Sequence, residues 1–94
     1  MTVDPTAELH RLRAAMDALN LQLRNTLQQR ASLCREIARH KREHGLPLID
    51  PGREAAMLQQ LARDPGDGYS AVSLVRIFAA VLAESRAIVT GSDS

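Results

Sequence analysis

Stepping by three or four residues through the first half of the chain picks out Leu9, Leu12, Met16, Leu19, Leu23, Leu27, Arg30, Cys34, Ile37 and Lys41. On a helix turning 100° per residue these stay within a sector of about 80°. Two cations, Arg30 and Lys41, therefore interrupt an apolar row, and Arg13 lies on its flank beside Leu9 and Met16. Arg30 and Lys41 are three turns apart, about 16–17 Å along a helix axis. A long cationic side chain at the end of an apolar stripe commonly snorkels to water. Arg30, flanked on its own face by Leu27 and Cys34, is less able to do so. A buried cation without an anion costs several kcal/mol, so a row holding two of them asks for a carboxylate or phosphate partner.

Two further groups of residues can share such a site. The stretch HKREHGLPLIDPGREAAML, His40 to Leu58, crowds Lys41, Arg42 and His44 ahead of a Gly-Leu-Pro break and then sets Asp50, Arg53 and Glu54 around a Pro-Gly step. Near the C-terminus a second apolar row, Leu74, Phe78, Val81, Ser85 and Ile88, is interrupted by Ser85. A lone Ser on an apolar face usually bonds its own helix backbone; together with Arg30 and Lys41 it can also be a donor facing a common cavity. The remaining candidates carry less. His40 and His44 form an i, i+4 pair, with His10 elsewhere, but no carboxylate-rich third ligand accompanies them, and no metal site is expected. Cys34 lies in the apolar row without a designated base, which argues against a catalytic thiol.

The elements that must position these residues are helices. Asp4-Pro5 reads as a cap and first turn, and no Pro or Gly follows until Gly45 and Pro47, so the spacing predicts one very long helix over about 6–43. Asp50-Pro51 starts a second, over about 51–63. DPGDGYS is a loop, Ser70 caps a third helix over about 71–89, and TGSDS is a polar tail. Aromatic residues are only 2% of the chain and Trp is absent, while the 45% hydrophobic fraction is mostly aliphatic, which suits an all-α fold. The first helix measures roughly 55 Å at 1.5 Å per residue, whereas a compact chain of this size has a radius of gyration of about 12–13 Å. The protruding stripe needs cover from another chain, so an obligate homodimer with its long helices packed together is expected.

Composition narrows the partners. Twelve Lys and Arg against eleven Asp and Glu leave a net charge of +1, so there is no overall basic field for nucleic acid. One Cys excludes an intrachain disulfide framework, the first residues lack the basic start and apolar run of a signal peptide, and no span of eighteen apolar residues suggests a membrane helix. The expectation is one cytoplasmic domain over 1–94.

The ordered set Leu12-Arg13, Arg30, Lys41, Asp50-Pro51-Gly52-Arg53-Glu54 and Ser85 within AESRAIV resembles the all-helical class of chorismate mutases, over about Glu8 to Val89. The resemblance implies three-helix protomers intertwined as a dimer around two active sites. It also implies the substrate chorismate, a dianion that rearranges to prephenate by an intramolecular pericyclic shift in aromatic amino-acid biosynthesis. Such a reaction needs no cofactor, nucleophile, metal or proton shuttle. It is helped by holding the folded diaxial conformer and by stabilising charge as the C–O bond breaks. By resemblance, Arg30 and the partner subunit's Arg13 clamp the carboxylates, with Ser85 and Arg53 in support. Lys41 faces the ether oxygen, while Glu54 and the Asp50 segment hold the ring hydroxyl. Arg30, Lys41 and Glu54 are then the catalytic residues.

One position departs from that pattern. Four residues after the Ser, family members usually carry a Gln or Glu that bonds the ether oxygen, and this chain has Val89. Losing one oriented donor at a developing oxyanion costs about 2.7–4 kcal/mol. The departure leaves open a related enzyme on the same scaffold, acting on aminodeoxychorismate or eliminating pyruvate from isochorismate. A non-catalytic helical dimerisation module is the reading in which the charges are surface decoration.

Overall fold

The computed structural model describes residues 4–91, and these fold as three helices in the order α1 (Pro5–Glu43), α2 (Pro51–Arg63) and α3 (Ala71–Thr90). No strand occurs among the described residues. Residues 1–3, and the last three of the polar tail, 92–94, lie outside them. The contacts divide the chain into two units, Met1–Ser32 and Leu33–Ser94, with the division falling inside α1.

The first unit is the N-terminal part of α1. Asp4 starts it: its side chain accepts from the Thr6 amide at 3.1 Å and its carbonyl takes the Glu8 amide at 3.0 Å, with Pro5 filling a position where a donor would be unused. Arg11 closes on Glu8 in the first turn, an exposed i, i+3 ion pair. Within this unit the apolar row is uncovered: Leu9, Leu12, Met16, Leu19, Leu23 and Leu27 are 38–58% exposed. The row expected to need cover from another chain is thus open within this unit.

The second unit begins with the last turns of α1. Helix α1 stops in a Schellman arrangement: Gly45 sits at φ +65°, the Leu46 amide reaches back to the Lys41 carbonyl at 2.8 Å, and the Gly45 amide reaches Arg42 at 3.4 Å. Glycine is required there because a side chain resists that left-handed conformation. Asp50 then caps α2 by accepting from the Arg53 amide at 3.0 Å, and Pro51 opens the helix. Ser70 caps α3 in the same way through the Ser73 amide at 3.1 Å.

Helix α2 packs against α3. Met57, Leu58 and Leu61 of α2 and Leu74, Val75, Phe78, Val81 and Leu82 of α3 are half-buried. Among the described residues only Ala38 is fully buried, at 2% exposure, while Leu33, Ile37, Leu46, Tyr69, Val72 and Ile77 remain open to solvent. A domain of this size normally owes its stability to a buried apolar core. Among the described residues that core amounts to Ala38 and the half-buried seam between α2 and α3.

Candidate functional site

Between the start of α2 and the second half of α3 lies a cleft of about 280 Å³. Pro51, Glu54, Ala55 and Leu58 line one side, and Ala79, Leu82 and Arg86 the other. The two alanines leave the space, and the leucines make the floor apolar. The polar wall is Glu54 with Arg86: the Arg86 Nε lies 2.7 Å from Glu54 Oε1 and 3.1 Å from Oε2, and its Nη2 lies 2.7 Å from Oε1. The Glu54 side chain is 16% exposed and that of Arg86 53%. Pairing the first turn of α2 with the end of α3 makes the two helices antiparallel, and places a charged pair on an otherwise apolar rim.

The other residues singled out from the sequence in this unit are engaged locally. The half-buried Lys41 Nζ donates to the Leu48 carbonyl at 3.3 Å, which ties the end of α1 to the loop before α2. Asp50 is occupied as the cap of α2, and Arg53 supplies the backbone amide it accepts from. Ser85 is half-buried and its hydroxyl donates to the Val81 carbonyl one turn earlier at 2.7 Å, the ordinary habit of a helical Ser. Glu54 alone of the anticipated set lines the cleft. In the first unit, Arg13 is exposed and Arg30 half-buried. His40 and His44 pack ring to ring at 4.2 Å with His44 Nδ1 on the His40 carbonyl, and among the described residues no three His, Cys, Asp or Glu side chains are grouped to hold a metal ion. Gly52 is not demanded by space, since a Cβ there would meet only Asp50 Oδ1 at 3.6 Å.

Comparison with known proteins gives this charged cleft its context. Residues 12–89 match the family model for chorismate mutase type II. The chain belongs to that family. It is 38% identical over 78 residues to the 4-amino-4-deoxychorismate mutase of Streptomyces venezuelae, covering 82% of this chain and 76% of that one. It is 40% identical over 48 residues to the T-protein of Haemophilus influenzae, which is 51% of this chain and 13% of that much longer one. Among solved structures, chorismate mutase from Thermus thermophilus in form II superposes with a TM-score of 0.83 at 30% identity, covering 93% of this chain and 99% of that chain. Form I gives 0.80 at 29% identity, over 83% and 98%. The protein is therefore an enzyme of an isomerase family with an all-helical fold.

All seven charged and polar residues anticipated for a chorismate mutase, Arg13, Arg30, Lys41, Asp50, Arg53, Glu54 and Ser85, fall inside the matched segment, as does Val89. Two contacts were not anticipated. Arg86 holds Glu54, and Arg42 donates from Nη2 to the Val89 carbonyl, so a guanidinium closes the open C-terminal end of α3. Arg86 is 32 residues from its partner, a separation that no helical spacing rule reaches. A hint was its place directly after Ser85, on the flank of the half-buried row.

Proposed function

We propose that this chain is a chorismate mutase that rearranges chorismate to prephenate, working as an intertwined homodimer. The observation that supports it is Glu54, a largely covered carboxylate on the wall of an apolar cleft, in a chain whose family-matched segment carries Arg13, Arg30, Lys41, Asp50, Arg53 and Ser85 in order and departs from the pattern at Val89. Arg30 and Arg13 of the partner subunit bind the two carboxylates of the dianion and hold its enolpyruvyl arm over the ring, with Arg53 and Ser85 in support. Fixing that folded conformer supplies the entropic part of the acceleration. As the C–O bond breaks, negative charge grows on the ether oxygen, and Lys41 exchanges its bond to the Leu48 carbonyl for that oxygen. Glu54 and the Asp50 segment take the ring hydroxyl. No proton leaves the substrate and no covalent intermediate forms.

Dimerisation is supported by the exposed Leu9 to Leu27 row and by a protomer in which Ala38 is the one fully buried residue described. A second reading, rearrangement of 4-amino-4-deoxychorismate, is favoured by the name of the Streptomyces relative. Incubating the purified protein with chorismate, isochorismate and 4-amino-4-deoxychorismate and identifying the products separates these readings. Prephenate from chorismate is expected, lost in Arg30→Ala and Lys41→Ala variants that keep their helical circular dichroism. No turnover of any of the three would reduce the chain to a dimerisation module.

A further inference from the structure

The carboxylate at the cleft is not presented as a bare charge. Glu54 Oε1 takes two Arg86 nitrogens at 2.7 Å, while Oε2 has only the longer bond from Nε at 3.1 Å. A carboxylate has about four acceptor positions, so Oε2 keeps room to accept from a ligand. The charge of the pair, however, is cancelled. A neutral hydroxyl needs only the lone pair and is indifferent to this cancellation. An ammonium gains from net negative charge, and here it would meet a guanidinium across the width of one carboxyl group. The two substrates under consideration differ at just this place: the amine that replaces the ring hydroxyl in 4-amino-4-deoxychorismate is an alkyl amine, protonated near neutral pH.

We propose that Arg86 is a specificity-determining positioning residue, which acts through Glu54 to make the site favour a neutral hydroxyl over an ammonium at the substrate's ring substituent. The inference rests on the reading above in which Glu54 receives that substituent. Arg86 touches the cleft from α3 whereas Glu54 comes from α2, so the ion pair also fixes the direction in which Oε2 faces.

The test is the kcat/KM of the whole protein for chorismate and for 4-amino-4-deoxychorismate, in wild type, Arg86→Leu, Arg86→Gln and Arg86→Lys. The wild type should prefer chorismate. In Arg86→Leu the amino-to-hydroxyl ratio should rise by at least about tenfold, a modest figure because a half-exposed cation is partly screened. Arg86→Gln keeps a hydrogen-bond donor without the charge and should move the ratio in the same direction, which guards against a Leu variant that fails to fold. Arg86→Lys should stay near wild type. A merely structural role lowers both activities together and leaves the ratio fixed; that result in Leu and Gln alike overturns the inference while leaving the mutase intact. A wild type that prefers the amino substrate overturns it too and favours the second reading, whereas turnover of neither substrate defeats the proposed function itself.

Discussion

Val89 places a hydrocarbon where the proposed mutase site calls for a hydrogen-bond donor. It stands one turn after Ser85 on α3, half-buried, with its backbone carbonyl held by Arg42. A hydrocarbon there cannot donate to the ether oxygen. Val89→Gln is expected to raise kcat for chorismate by up to about a hundredfold if the new amide is well oriented, since each 1.36 kcal/mol of barrier is worth a factor of ten. The Arg42 bond survives the exchange because it uses the main chain. The gain should lie in kcat more than in KM, because the oxygen's charge grows only toward the transition state. It should vanish in a Lys41→Ala background if both groups serve one atom. Unchanged kinetics in a folded Val89→Gln protein would mean that position 89 faces away from the substrate. At this scale the sequence was legible where a role follows from type and spacing, as with Asp50, which caps α2. It was not legible where a bond depends on how two helices meet: neither Arg86 to Glu54 nor Arg42 to Val89 can be read from local spacing.

Helix ends were readable to within a residue because caps are local. Asp50 and Ser70 each bind the amide three residues on, and Gly45 takes the left-handed conformation that ends α1. Ser70→Ala removes the cap of α3 and should cost about 1 kcal/mol in denaturant unfolding, with Ser70→Asp restoring it. A Ser70→Ala protein as stable as wild type would show that α3 is held by packing alone. The start of α1 has its own pH signature. The side-chain bond from Arg11 holds the Glu8 carboxyl below its ordinary value. A depressed value in the folded state means a contribution present above the unfolded value and lost as pH falls through the folded one. The first turn of α1 should therefore fray in acid, as pH falls below the ordinary range of a glutamate. Glu8→Gln should flatten that part of the acid titration followed by circular dichroism. The amplitude will be small, because both groups are solvent-exposed.

The whole molecule poses a problem that its helices cannot solve singly. The same row that the sequence marks as buried, Leu9 to Leu27, is open to water in the protomer, and Leu33, Ile37 and Ile77 are open as well. Hydrophobic spacing announces that a face must be covered but does not say by what, which is why the row was legible and its partner only inferred. A second copy is the simplest cover, and sedimentation at micromolar concentration should find a dimer, with an interface above the roughly 2,000 Å² of obligate partners. If that dimer lends Arg13 across its two-fold axis, inactive subunits should rescue one another. Arg13→Ala subunits retain Lys41, and Lys41→Ala subunits retain Arg13. In a mixed dimer one site then lacks both groups while the other has both. With random exchange about half the dimers are mixed, and each has one intact site of two, so co-refolding equal amounts should recover about a quarter of wild-type activity. Each variant refolded alone should stay inactive. Activity that never rises, although exchange is shown by mass-tagged subunits, would place Arg13 within its own subunit's site or outside any site. Recovery near a quarter fixes the sharing, because two groups serving the same subunit cannot complement each other in a dimer of this symmetry.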